Sequence, residues 1–142
     1  MAIIYQSEDI KEPQLKKRII NKWIKEVAAS YKKKVGDISY IFCSDEKILE
    51  INKNYLQHDY FTDIITFDYT EKNTISGDIF ISIDTVKSNS EQFKTNFEEE
   101  LHRIIIHGIL HLCGINDKAP GEREHMTECE NEALKLLMSY IK

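Results

Sequence analysis

His107 and His111 stand four residues apart, a spacing that puts both imidazoles on one face of a helix, a single turn from each other, so that two rings can converge on one cation. Paired histidines also occur as surface or core side chains, and three further features favour a metal. The pair lies in an apolar run, Ile104-Ile105-Ile106 and Ile109-Leu110 with Leu112, where a polar ring without a partner is costly. Gly114 can end the helix in a left-handed cap, and Asp117 is the first ionisable residue on the loop that then folds back. A set of two nitrogens and one carboxylate also leaves coordination positions open, as catalytic sites do, whereas structural zinc is usually closed by four protein ligands. His107, His111 and Asp117 are therefore the expected ligands of a divalent metal, and hydrolysis is the expected chemistry.

The other candidates are weaker. His125 is the alternative third ligand, but Glu122, Glu124 and Met126 around it read as a helix start, where a histidine is solvated or capping. His102, five residues before His107, should point elsewhere. His58, beside Asp59 and Asp63, can line a cleft, though turn chemistry accounts for the aspartates equally well. Cys113 falls on a different side of the helix from His111 and reads as packing. Peptidases with two helical histidines need a glutamate after the first as general base, and Gly108 here has no proton-accepting side chain.

The elements that must position this group follow from periodicity. Leu15, Ile19, Ile20, Trp23, Val27 and Tyr31 recur at helical spacing, so 13–33 should form an amphipathic helix with Pro13 in its first turn and lysines on its outer face. Ile38 to Phe42 reads as a strand, Ser44 opens a short helix through Tyr55, and Ile64 to Tyr69 and Gly77 to Ile83 read as a strand pair joined as a hairpin. Ile3-Ile4-Tyr5 adds a possible fourth strand. Asp84 is the expected cap of a helix over 85–95, and Asn96 that of the helix carrying the histidines. A last helix after Gly121 should bury Met126, Ala133, Leu134, Leu137, Met138 and Ile141. The expected fold is α+β (mixed α/β): one domain over 1–142, with a small, roughly four-stranded sheet and about five helices.

At 142 residues, 42% hydrophobic and 30% charged, the chain can bury a core without disulfides or structural metal, so a metal here is functional rather than structural. Cys43, Cys113 and Cys129 are odd in number and form no CxxC pair, as expected of reduced thiols. The start MAIIYQSEDI shows no basic region followed by an apolar stretch, and the run from Ile104 to Cys113 is too short for a bilayer, which needs about 20 residues. A cytoplasmic protein without a membrane partner is expected. The net charge of −5 argues against nucleic acid, but nine basic residues against two acids between Lys11 and Lys34 give the chain a polarity that can orient it on a polyanion.

The segment H107-G-I-L-H-L-C-G-I-N-D117 resembles the HGxLHLxGxDH pattern of the YbeY family, bacterial rRNA maturation factors that look like single-strand-directed metallo-endoribonucleases. I51-N-K-N-Y-L-Q-H-D-Y-F-T-D-I-I-T-F67 and Gly77-Asp78-Ile79 support the match in the right order. The resemblance implies the fold, one zinc ion, 16S rRNA 3′-end maturation and ribosome quality control, with rRNA and the small ribosomal subunit as partners and no DNA. Two positions depart from it. The family's third histidine falls on Asp117, an acceptable zinc ligand that lowers the net charge of the site. Leu56 stands where the family usually has an arginine thought to serve catalysis, so another cation must replace it or activity falls; Arg103 and Lys118 lie near the motif. Tyr55, Tyr60 and Phe61 are candidates for holding splayed bases, or for the core. The competing class is a non-catalytic assembly factor in which the metal organises the loop after Gly114.

Overall fold

Apolar residues at alternating positions in four extended segments dictate a sheet with two unlike faces, and in the computed structural model, which describes residues 2–55 and 63–141, that sheet is the frame of the chain. Its strands are β1 (Ala2–Ser7), β2 (Lys34–Cys43), β3 (Ile64–Asp68) and β4 (Thr74–Ser82), and the helices are α1 (Lys17–Ser30), α2 (Asp45–Tyr55), α3 (Ile83–Gln92), α4 (Phe97–Leu112) and α5 (Glu122–Ile141). The spatial order is β1-β2-β4-β3. β1 and β2 run parallel, as do β2 and β4, while β3 pairs antiparallel with β4 through Ile64↔Ile81 to Asp68↔Gly77. Five helices and a mixed four-stranded sheet match the fold class expected from the sequence.

One sheet face carries Ile38, Tyr40, Phe42, Ile75, Ile79 and Ile81 into the main core, where α1, α4 and α5 bury their own apolar sides. The other face meets α2 in a small cluster of Cys43, Ile48, Ile51 and Ile65. Trp23 is wholly buried and donates its indole N–H to the Ala133 carbonyl at 2.7 Å, tying α1 to α5. Tyr40 is wholly buried too, and its hydroxyl donates to the Ile105 carbonyl at 2.8 Å, tying the sheet to α4. Each such side chain combines an apolar body, worth roughly 1.5–3 kcal/mol on burial, with one satisfied polar atom. Together they fix α4, the helix of the histidine pair, against the sheet.

Several details differ from the sequence reading. α1 begins at Lys17, and Pro13 lies before it in the irregular segment 11–16; no side chain caps the helix start at Lys16, so the helix forms only where the apolar stripe reaches the core. It ends early because Lys32 turns left-handed at φ 62°. Ser82, not Asp84, caps α3: its hydroxyl accepts from the Thr85 N–H at 3.2 Å, while the Asp84 carboxylate accepts from the Asp45 N–H at 3.0 Å, linking α3 to α2. Met138 is 51% exposed and leaves the apolar stripe of α5, where Cys129 and Glu130 are buried instead.

Candidate metal centre

α4 is capped as its sequence dictates: the Asn96 side-chain oxygen accepts from the Glu99 N–H at 2.7 Å, and three glutamates occupy the first turn, where the helix dipole favours them. At the other end Gly114 adopts φ 96°. Its N–H bonds the His111 carbonyl at 2.9 Å, and the next N–H, of Ile115, reaches back to the Leu110 carbonyl at 3.0 Å, which is the paired bonding of a glycine-terminated helix. This turn sends the chain back along the helix. The Asp117 carboxylate arrives with Oδ2 3.5 Å from His107 Nε2 and 3.5 Å from His111 Nε2.

Those separations suit a metal. Two ligands about 2.0–2.1 Å from a tetrahedral ion are about 3.3–3.4 Å apart. The two rings stand nearly perpendicular with centroids 4.6 Å apart, and one ligand atom from each of the three residues lies within 4.8 Å of the others. The side chains are 18%, 28% and 25% exposed for His107, His111 and Asp117, so solvent and substrate can reach the point between them. The donor set of two imidazole nitrogens and one carboxylate fits zinc or a similar divalent ion.

Behind His107 stands a second carboxylate. Glu130 of α5 is 8% exposed and places Oε2 2.6 Å from His107 Nδ1; its other oxygen accepts from Arg103 at 2.8 Å, and Arg103 also donates to the Asn131 side chain at 2.7 Å. Burial would lift the Glu130 pKa, but the hydrogen bonds and charges of His107 and Arg103 outweigh it and hold the carboxyl below its usual range. For His107 burial works downward, and the Glu130 hydrogen bond with the negative charges of Glu130, Asp117 and Asp63 raises the pKa overall. His111 is lowered, by burial first and then by the His107 charge.

A cleft of about 580 Å³ opens beside the cluster, walled by Phe93, Arg103, His107, Asp117, Lys118 and Arg123. Asp63, just before β3, faces the same cleft, with its pKa raised by burial.

The chain matches the family model described as Endoribonuclease YbeY over residues 2–138. It belongs to the YbeY family. It is 70% identical over 136 residues to the Endoribonuclease YbeY of Bacteroides fragilis, covering 96% of this chain and 98% of that one. The identity to the Endoribonuclease YbeY of Porphyromonas gingivalis is 50% over 139 residues, covering 98% of this chain and 92% of that one. A solution structure of a Thermotoga maritima protein shares the fold, with a TM-score of 0.67 at 25% identity over 98% of this chain and 91% of that one.

Within this chain, the three side chains singled out from the sequence come together, and among the described residues His125, His102 and Cys113 do not join them. His125 is exposed, with its Nε2 3.7 Å from Cys129 Sγ and apart from the cluster. His102 is buried edge-on to Trp23, ring centroids 6.2 Å apart, and burial lowers its pKa. Cys113 is a free thiol at the C-cap, its pKa pushed by burial to about 11. Arg103 is engaged by Glu130 and Asn131, whereas Lys118 and Arg123 line the cleft with exposed side chains. Leu56, His58, Asp59, Tyr60, Phe61 and the Tyr55 side chain lie outside the described residues.

Position 108 adds a steric argument to the chemical one. A Cβ on Gly108 would sit 3.0 Å from Ile79 Cδ1 and 3.3 Å from Ile64 Cδ1, so this position faces the sheet and has no room for a glutamate base. Glu130 is the residue that sequence reading missed. Its signal was an acid four residues after Met126 and three before Ala133, on the buried stripe of α5, where a lone charge needs a partner. Among the described residues, no helix is long and apolar enough to cross a membrane.

Proposed function

We propose that the chain is a metal-dependent endoribonuclease acting on single-stranded RNA, with His107, His111 and Asp117 holding one zinc ion, and that it serves 16S rRNA 3′-end maturation and ribosome quality control in the cytoplasm. The observation that carries this reading is the convergence of the three side chains on one point, Asp117 Oδ2 at 3.5 Å from both imidazoles, in a chain of the YbeY family. A divalent ion held there supplies Lewis acidity toward a phosphoryl oxygen and lowers the pKa of a water.

The remaining work falls to the chain itself. Lys118 and Arg123 oppose the charge of the RNA backbone in the cleft beside the ligands. Phe93, 62% exposed on the cleft wall, offers a face on which an unstacked base can lie, which favours single strands over duplex. The family relatives named Endoribonuclease YbeY support RNA as the substrate; the small ribosomal subunit as partner rests on the resemblance of the motif.

The test combines metal analysis of the purified protein with cleavage of a single-stranded fragment from the 3′ end of 16S rRNA, for the wild type, His111→Ala and Asp117→Ala. One zinc per wild-type chain, with loss of both metal and cleavage in the variants, is the expected result. One metal without cleavage would assign the chain to a non-catalytic role in small-subunit assembly, and absence of metal from the wild type would refute the site.

A further inference from the structure

We propose that Glu130 and Arg103 are positioning residues of the metal centre, joined in a relay in which Arg103 fixes Glu130 and Glu130 fixes the His107 ring. The inference rests on the reading of His107, His111 and Asp117 as ligands.

A buried carboxylate is expensive unless every oxygen finds a donor, and Glu130 spends its two oxygens on two different tasks. Oε2 meets His107 Nδ1 at 2.6 Å and Oε1 meets Arg103 Nη1 at 2.8 Å. Because an ionised carboxylate only accepts, the contact to His107 requires the proton on Nδ1, with Nδ1–H donating. The ring is then the tautomer whose lone pair sits on Nε2, the nitrogen directed at Asp117 and His111. Glu130 thereby sets both the orientation and the electronic state of the ligand, and the negative charge behind the ring raises the basicity of Nε2.

Arg103 acts one step further out. It is on α4, four residues before His107, and so faces the same side of the helix. Its planar fork is divided between Glu130 of α5 and the neighbouring Asn131 side chain, which holds the carboxylate in place and sets the spacing of α4 and α5 at that level. Neither residue is within the ligand group itself. Their influence on the ion therefore runs through His107.

The experiment measures zinc affinity by competition with a chromophoric chelator for the wild type, Glu130→Gln, Arg103→Gln and the double variant, alongside the thermal midpoint of each protein freed of metal. Glutamine in place of Glu130 presents an amide that cannot accept from both partners, and a 10- to 100-fold loss of zinc affinity is expected. Arg103→Gln should lose affinity too, by a smaller factor, and the double variant should bind no more weakly than Glu130→Gln alone. The relay is overturned if Glu130→Gln binds zinc within threefold of the wild type, or if the two losses multiply in the double variant. Should Glu130→Gln not fold, Arg103→Gln alone decides: unchanged affinity refutes the relay. An affinity loss matched by a collapse of the metal-free thermal midpoint in both single variants would assign the pair to helix packing and also overturn it. A wild type that binds no zinc fails the ligand reading, an outcome distinct from all of these.

Discussion

Replacing Gly108 by alanine tests whether close approach of α4 to the sheet is what fixes the proposed metal ligands. Two effects oppose each other. Alanine in a helix interior is favoured over glycine by about 0.8–1 kcal/mol. Against this, the new Cβ would stand 3.0 and 3.1 Å from two carbons of Ile79 and 3.3 Å from Ile64 Cδ1, tighter than ordinary contact to all three atoms. Ile79 is wholly buried on β4, a strand paired on both edges, so it has little room to retreat. Overpacking of this kind costs about 1–3 kcal/mol. The balance is a net loss of about 1 kcal/mol, a fall in the thermal midpoint of about 3 °C for a chain of this size. The helix must also move outward, and His107 and His111 with it, while Asp117 is held by the loop. Circular dichroism melting of the metal-free protein reads the first effect, and zinc affinity should fall several-fold with it. A raised midpoint would refute the reasoning, because it would mean that the isoleucines yield and helix propensity wins.

Three more outcomes are expected. His102 is held neutral by burial, so its folded pKa lies below the unfolded value of about 6.5; the stability it contributes is present above that pH and is lost as the pH falls through the folded value. Thermal midpoints of the wild type should therefore decline between pH 7 and 5 more steeply than those of His102→Phe, and parallel curves would dismiss the assignment. Lys118→Ala should weaken binding to single-stranded RNA and reduce the slope of log affinity against log salt by about 0.7; an unchanged slope would remove Lys118 from the RNA path. Phe93→Ala should cost about 1–3 kcal/mol of binding to single-stranded RNA, with Phe93→Trp retaining affinity, and equal binding by Phe93→Ala would show that no base stacks there.

The histidine helix was legible because each of its signals is local: Asn96 before an acidic turn, two histidines four apart, glycine three residues after the second. Local bonding rules alone bring Asp117 back to the pair. What escaped the sequence depends on partners distant along the chain. Glu130 meets His107 across 23 positions. Asp84 reads as a cap until Asp45 of another helix claims its carboxylate and leaves Ser82 to take over. The hairpin of β3 and β4 was readable from alternation, but the parallel pairing of β1 with β2 and of β2 with β4 follows from the packing of intervening helices. Pro13 marked a plausible helix start, yet the helix waits for residues with a core to pack on.

The cleft proposed to take RNA is itself lined by carboxylates, which poses an electrostatic difficulty, and the contacts around these acids bear on it. Glu130 gives its charge to Arg103 and His107. Glu100, on the same wall, accepts from the Thr95 hydroxyl at 2.9 Å. Asp63 has its pKa raised by burial, with the His107 charge opposing, so burial works against its negative charge. Asp117 is the acid that a cation between the histidines would neutralise. Among the described residues, Lys118 and Arg123 are the exposed cations on this wall, while Arg103 is engaged by Glu130. With Asp117 as the third ligand, as proposed, a bound divalent ion would keep one positive charge fewer than with a neutral imidazole in its place. In the nuclease reading, a weaker electrophile at the centre has to be offset by cations beside it, and the cleft supplies them on the loop and helix that follow Asp117.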